Sequence, residues 1–276
     1  MTYATVMVGL MLGQQNEARL EIAGQMAERF GAKVIGVAAA EFSPPLYFTE
    51  GEPAQRLIDQ GWAAVKNRLA GLEGEFRAAM QNRAADVEWR CGEDFPTRFV
   101  VRQACACDII VVGQAARGGL ADPFVQFDPS DLVMQAGRPL LVVPDACNWL
   151  DLRSVLVAWK DTAEARRAVS DALPLLRKST EVTIVEIVED EANRPAALAR
   201  LGDVVAWLSR HGIRASQQVP EQSGGAATQL ERIASDVGAG VVIAGAYGHS
   251  RLSEWILGGV TRRLINPSNR CSLLSH

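Results

Sequence analysis

Val241-Val242-Ile243-Ala244-Gly245-Ala246-Tyr247-Gly248 is the stretch of this chain from which the fold and a binding site can be read. Its first four residues are apolar and predict a short buried strand, and its two glycines predict a turn where the chain leaves that strand. Nine residues later comes Gly258-Gly259-Val260-Thr261, which we expect at the start of a short helix. Backbone N–H groups at a helix N-terminus attract anions, and glycine lets a ligand approach the main chain closely. The stretch therefore predicts a phosphate-binding loop between a strand and a helix.

The spacing of these glycines, G-x-x-G-x9-G from Gly245 through Gly248 to Gly258, resembles the nucleotide-binding signature of the universal stress protein family. The resemblance implies ATP, with or without Mg²⁺, in this loop. The residues implied as contacts there are Gly245, Tyr247, Gly248, His249, Gly258, Gly259, Val260 and Thr261. Many ATP-binding relatives carry Ser or Thr directly after the third glycine, where this chain has Gly259 and its nearest hydroxyl on Thr261. The alternative is that the glycines serve only as turns.

The resemblance also implies adenine and ribose contacts in a second loop, at Trp159, Lys160 and Asp161. An Asp or Asn is usual in the family where this chain has Lys160, so Lys160 either reaches a phosphate or weakens adenine recognition. Asp161 has a competing role, because it can cap the next helix together with Glu164 three residues on. We favour the cap over a ribose contact for Asp161.

The chain repeats one structural unit. Thr5–Gly9 parallels Ser154–Ala158, and each is followed by an amphipathic helical stretch and a further β-rich run. Short apolar runs alternating with helix-period segments are typical of βαβ units around a parallel sheet. We predict an α/β fold of two repeated doubly wound parallel-sheet domains, similar to the universal stress proteins and other adenine-nucleotide alpha-hydrolase-like folds. The predicted domains are residues 1–147 and 152–276, each with the order β-α-β-α-β-α-β-α-β.

The first repeat lacks the full glycine signature. Gly113 matches Gly245, but Ala116 stands where the second repeat has Gly248. The next helix begins Asp128-Pro129-Ser130-Asp131, so its start is satisfied by its own carboxylates, which would repel phosphate. We predict that residues 1–147 form a degenerate domain that supplies an interface.

Two further segments bear on assembly. The resemblance implies that Leu140–Val143 and Ser272–Ser275 pair across a pseudo-twofold axis, so that one chain imitates a dimer; a true homodimer is left open. A long helix is predicted from about Ala54 to Arg83. It could serve as a lid or a partner surface, but its apolar positions also suit packing on the sheet, which we favour.

Composition excludes several classes of function. A net charge of −4 argues against nucleic acid as a partner, because a basic face would be needed. The apolar run Val6–Leu12 lacks a basic flank and is too short to span a bilayer, which favours a cytoplasmic protein without a membrane partner.

The five cysteines have no zinc-type spacing. We read them as reduced thiols, with Cys105 and Cys107 as an alternative redox sensor.

Known catalytic signatures are absent from the sequence. It has neither a G-x-x-x-x-G-K-[ST] loop nor a G-x-G-x-x-G after its first strand, and its three histidines form no metal or triad pattern. We therefore predict no catalytic or metal-binding residue, although slow ATP hydrolysis is compatible with such a site.

The leading hypothesis is a tandem universal stress protein that binds ATP in its C-terminal domain and acts in a stress response or in energy sensing. The alternative is a scaffold of the same fold that works through protein partners without nucleotide.

Overall fold

The computed structural model describes residues 2–43, 52–114, 122–247, 264–265 and 269–276. Within these ranges a single sheet of ten strands forms the centre of the molecule. The strands are β1 Thr5–Gly9, β2 Lys33–Ala40, β3 Val87–Glu93, β4 Ile109–Gly113, β5 Leu140–Val143, β6 Ser154–Trp159, β7 Glu181–Glu186, β8 Ala215–Gln218, β9 Val241–Gly245 and β10 Cys271–Ser275.

The strand order is β3-β2-β1-β4-β5-β10-β9-β6-β7-β8. The first five strands (the first half) therefore lie on one side of the sheet and the last five (the second half) on the other. Neighbours within each half are parallel, whereas β5 and β10 are antiparallel, with Leu141 opposite Leu273. The implied pairing of Leu140–Val143 with Ser272–Ser275 is confirmed, and it joins the two halves into one sheet.

Eight α-helices with described bounds cover the sheet, and residues 264–265 are helical as well. The eight helices are α1 Glu17–Phe30, α2 Glu52–Met80, α3 Pro96–Gln103, α4 Pro129–Gln135, α5 Ala163–Asp171, α6 Leu173–Leu176, α7 Arg194–Arg210 and α8 Ala226–Asp236. The long helix expected from about 54 to 83 is α2, which ends at Met80 shortly before Asn82 turns left-handed at φ 64°. The amphipathic helical stretch expected after Ser154–Ala158 is divided into α5 and α6, with Pro174 in the first turn of α6.

The core lies on both faces of the sheet because successive strand side chains point to opposite faces. In β1, Val6 and Val8 pack under α1 and α2, whereas Met7 packs on the other face with α3 and α4. The same division continues in the second half, with α5 and α7 on the first face and α8 on the second. Strands buried on both faces are almost wholly apolar, as in the run Ile109–Val112 of β4. The predicted α/β class with a mainly parallel sheet is confirmed.

Candidate functional site

The carboxyl ends of three parallel strands of the second half lie side by side. β6 pairs with β7 on one side and with β9 on the other, so that Trp159 lies opposite Glu186 and Ala158 opposite Ala244. The strand order reverses at β6, and ligands of open α/β sheets bind in the crevice at such a switch point. The loops that begin at Trp159 and Gly245 therefore leave the sheet next to each other.

The loop after β6 differs in one respect from the sequence prediction. Lys160 and Asp161 are exposed there, and Asp161 forms an ion pair with Arg166 at 2.5 Å. The prediction that Asp161 caps the next helix is wrong, because the N-cap of α5 is Thr162, whose Oγ1 accepts a hydrogen bond from the Ala165 N–H at 3.3 Å. Thr162 has the extended backbone of a capping residue, and the Asp161 carboxylate is held by arginine instead.

The first turn of α5 also carries the Glu164 carboxylate. Burial alone would raise the pKa of Glu164, but hydrogen bonds from its own N–H and from the Thr162 hydroxyl, together with the charge of His276, lower it on balance. The start of α5 is thus already supplied with acceptors and negative charge. A phosphate at this edge of the sheet would therefore bind where the chain leaves β9, away from the start of α5.

Glu186 and Arg200 form a second cluster at this edge that the sequence analysis did not single out. Glu186 is only 6% exposed and accepts a hydrogen bond from Arg200 on α7 at 2.5 Å through its Oε1. Its Oε2 is buried without a hydrogen-bond partner, and so is the indole Nε1 of Trp159 on the neighbouring strand. A buried acceptor and a buried donor at paired positions of two strands are unusual, because nearly all such groups find partners. A carboxylate at the end of the apolar strand β7 was the signal in the sequence that could have identified this cluster.

Gly245 is required by the packing of the protein itself. A Cβ on Gly245 would lie 2.5 Å from the Ala165 nitrogen and 2.7 Å from the Glu164 carbonyl carbon, so α5 crosses directly over it. This close approach supports the turn-and-packing interpretation for Gly245, independently of any ligand.

Tyr247 points towards the first half of the molecule. It has a left-handed backbone with φ 58°, and its half-buried side chain lies near Ser130 in the first turn of α4. Desolvation raises the pKa of its hydroxyl, with Ser130 opposing that shift. The remaining predicted contacts, Gly248, His249 and Gly258 to Thr261, lie outside the described residues.

The corresponding edge of the first half is filled by two side chains. Arg19 and Phe127 are each 2% exposed, and a Cβ on Gly113 would lie 2.6 Å from the Arg19 Nε, while one on Gly9 would lie 2.8 Å from the Phe127 ring. Arg19 donates hydrogen bonds to Asn16 Oδ1 and to the Gln15 carbonyl oxygen. Its burial lowers its pKa to about 10, against the opposing effect of Asp145.

The predicted cap of α4 is confirmed, since Asp128 accepts a hydrogen bond from the Ser130 N–H at 2.7 Å and Pro129 follows it. Arg19 and Phe127 were not predicted. Arg19 and Ala165 occupy equivalent positions in the two halves. Arg19 is three residues after Asn16, the N-cap of α1, and Ala165 is three residues after Thr162, the N-cap of α5. The presence of arginine in the first half, where the second half has alanine, was the signal in the sequence that could have predicted the filled edge.

The described residues of the second-half edge fit a ligand that offers both donors and acceptors. Adenine and ribose have such groups, which could pair with the Glu186 Oε2 and the Trp159 Nε1. Lys160 adds an exposed positive charge. Within the described ranges there is no group of three His, Cys, Asp or Glu side chains that could hold a metal ion, and no helix there is long and apolar enough to span a membrane.

Solved structures of other proteins resemble this chain over almost its whole length. No family model and no curated protein matches the sequence. A universal stress protein from Archaeoglobus fulgidus DSM 4304 is 17% identical with a TM-score of 0.71, and the match covers 99% of this chain and 98% of that chain. A functionally unknown protein from Pseudomonas aeruginosa PAO1 is 14% identical with a TM-score of 0.60, covering 99% and 92%. The whole chain thus has the fold of a universal stress protein, which confirms the predicted resemblance at that level.

One further match concerns half of the molecule. A universal stress protein in complex with cAMP is 22% identical and covers 52% of this chain, with a TM-score of 0.39. A likeness of that degree carries no argument about a ligand of the present protein.

Proposed function

We propose that this protein binds one molecule of ATP at the carboxyl edge of its second half and acts in a stress response or in energy sensing. The observation that carries the proposal is the position of the start of the glycine loop, residues 245–247. It leaves β9 at the switch point of the sheet, beside a buried donor on Trp159 and a buried acceptor on Glu186 that have no partner.

In this proposal the base and sugar lie over the ends of β6 and β7, and the phosphates lie over the loop that follows β9. The proposal assigns the phosphate contacts to the main-chain N–H groups of Gly248, Gly258 and Gly259, to the Thr261 hydroxyl and to His249, all of which lie outside the described residues. Lys160 supplies a positive charge from the β6 loop. Bound Mg²⁺ would be coordinated mainly by the phosphates and water, as is usual for this ion. No residue is assigned a catalytic role.

The proposal divides the chain into two domains, residues 1–147 and 152–276, of which only the second binds nucleotide. Support comes from the first-half edge, where Arg19 and Phe127 fill the space above Gly113 and Gly9. We place the protein in the cytoplasm as part of the same proposal.

A scaffold that works through protein partners without nucleotide is the second candidate. The packing of α5 over Gly245 favours it, because that contact accounts for one glycine of the signature without a ligand. Trp149, in the segment between the halves, is 60% exposed, and aromatic residues are enriched at protein–protein interfaces.

Two measurements on the full chain test the ATP proposal. Mass spectrometry of small molecules released from the freshly purified protein should detect an adenine nucleotide, and calorimetry with Mg·ATP on stripped protein should give one site per chain. Gly258→Asp should abolish binding because a carboxylate would stand in the phosphate position. Gly74→Asp is the matched control, since it adds the same charge on an exposed face of α2 with nothing within 4 Å, and it should bind normally.

Lys160 is tested in the same assay. Lys160→Ala should weaken ATP binding by about tenfold, the effect of losing roughly 1.4 kcal/mol. Lys178→Ala is the matched control, because Lys178 is also exposed but precedes β7 at the opposite edge. If the wild-type protein carries no nucleotide and gives no heat with Mg·ATP, the proposal is wrong and the scaffold becomes the better hypothesis.

A further inference from the structure

Two cysteines that are far apart in the sequence face each other where the halves join. Cys147 lies between β5 and β6 and is half-buried, and Cys271 is the first residue of β10 and only 1% exposed. Their Sγ atoms are 3.5 Å apart although 124 positions separate them. A disulfide requires the sulfurs at ~2.05 Å, so they need to approach by about 1.5 Å. Because Cys147 is not part of a strand, this approach leaves the hydrogen bonds of β10 in place.

The segment that carries Cys147 is held in position by the first half. The Cys147 N–H donates to the Pro144 carbonyl oxygen at 2.9 Å. The Gln25 side chain donates to the Asn148 carbonyl oxygen and accepts from the Leu150 N–H, at 2.9 and 2.8 Å. The sulfur of Cys147 is therefore kept beside that of Cys271 by contacts on both sides.

The two thiols differ in acidity. The hydrogen bond with Cys271 lowers the pKa of the Cys147 thiol, against the effect of burial, while the same bond and its deeper burial raise the pKa of Cys271. A thiolate is the nucleophile in thiol–disulfide exchange, and an external disulfide can reach only an accessible sulfur. Cys147 is half-buried whereas Cys271 is 1% exposed, so Cys147 is the attacking residue and Cys271 the resolving one.

The other cysteines lack this arrangement. Burial raises the pKa of Cys107 to about 12, and its sulfur contacts the Ala104 carbonyl oxygen. Cys91 and Cys105 are exposed, and Cys105 contacts the carbonyl oxygen of Arg102. The sequence alternative of a redox sensor at Cys105 and Cys107 is thus less well supported than a pair that the sequence did not suggest.

We propose that Cys147 and Cys271 form a reversible disulfide within the chain by exchange with a low-molecular-weight disulfide, for which oxidised glutathione is the probe. The Cys147 thiolate attacks one sulfur of glutathione disulfide, forming a mixed disulfide and releasing one glutathione thiolate, which takes up a proton. Cys271 then loses its proton and attacks the Cys147 sulfur, releasing the second glutathione. Two protein thiols are oxidised and one glutathione disulfide is reduced to two thiols.

The product fastens the segment between the halves to the strand at the centre of the sheet. It encloses β6 to β9 and the glycine loop within one covalent loop, because all of them lie between positions 147 and 271. The proposal is independent of ATP binding.

The test uses the folded full-length protein, fully reduced and then incubated with oxidised glutathione at neutral pH. Free thiols are blocked with iodoacetamide, and peptides are mapped without reduction. We expect the number of free thiols to fall from five to three, with one peptide pair that joins Cys147 to Cys271 and separates on addition of dithiothreitol.

Variants assign the roles. Cys271→Ser should accumulate the mixed disulfide of Cys147 with glutathione, and Cys147→Ser should abolish the cross-link while leaving Cys271 unreacted. Cys91→Ser is the matched control and should cross-link like the wild type. Circular dichroism monitors the folding of each variant. If Cys271→Ser does not fold, Cys147→Ser alone tests the cross-link, because it changes a half-buried side chain outside the strands.

Two results would overturn the proposal. One is a native protein that acquires glutathione only at Cys91 or Cys105, without the link between Cys147 and Cys271. The other is a link that forms only after unfolding in urea, because the folded geometry would then have no part in it.

Discussion

Substituting Gly245 by alanine tests whether this glycine belongs to the fold or to the ligand. The new Cβ would lie 2.5 Å from the Ala165 nitrogen and 2.7 Å from the Glu164 carbonyl carbon. Carbon atoms pack best at about 3.5–4.0 Å, so α5 would have to move by roughly 1 Å. Overpacking of this kind destabilises by about 1–3 kcal/mol. We expect the upper end for Gly245→Ala, because the obstacle is helix backbone and cannot rotate away.

The assay is urea unfolding of nucleotide-free protein followed by far-ultraviolet circular dichroism. Gly202→Ala on α7 is the matched control, because the nearest atom to its Cβ would be Gln217 Oε1 at 3.8 Å, an ordinary contact. Alanine is the better helix former, so the control should be stabilised by about 0.5–1 kcal/mol. If Gly245→Ala unfolds within about 0.5 kcal/mol of the wild type, the packing explanation of this glycine is wrong.

Two further predictions concern stability. Gln25→Ala should lower the free energy of unfolding by about 2–4 kcal/mol, since it removes two hydrogen bonds to the segment between the halves and leaves the Leu150 N–H buried without a partner; a loss below about 1 kcal/mol in urea unfolding would contradict this. Burial of Asp94 would raise its pKa, but Arg98, the Phe95 N–H and Arg102 hold that pKa below its usual value. The stabilisation is therefore present above the unfolded pKa of about 3.9 and lost as the pH falls through the lower folded value. Asp94→Asn should be less stable than wild type at pH 7, with a difference that shrinks towards pH 2; an equal difference at both pH values would refute it.

The fold was largely predictable because its signals are local and occur twice. A run such as Ile109–Val112 is too short for a helix and too apolar for an exposed strand, which leaves a strand covered on both faces. The start of α4 was equally clear, because an aspartate followed by proline satisfies the first turn without any partner from elsewhere. The break between α5 and α6 could have been inferred from Pro174 but was obscured by a continuous apolar stripe.

The candidate site was less predictable because its features depend on contacts distant in the sequence. Thr162 rather than Asp161 caps α5 because the helix begins at Ala163, and a boundary that differs by one residue is not fixed by the local sequence pattern. The pairing of Glu186 with Arg200 depends on how α7 lies across β7, and no spacing rule in the sequence gives that crossing. Tyr247 lies near Ser130 and Asp128, residues of the other half, so its surroundings exist only after the halves have joined.

The antiparallel junction of β5 and β10 has a consequence for self-association. Both strands have a neighbour on each side, so their main-chain groups are already engaged within one chain. The outermost strands of the sheet are β3, which carries Glu88, Arg90 and Glu93, and β8, which is short and polar. Charged or short outer strands resist docking of a further strand. These outer strands therefore disfavour a dimer in which the sheets of two copies continue into one another.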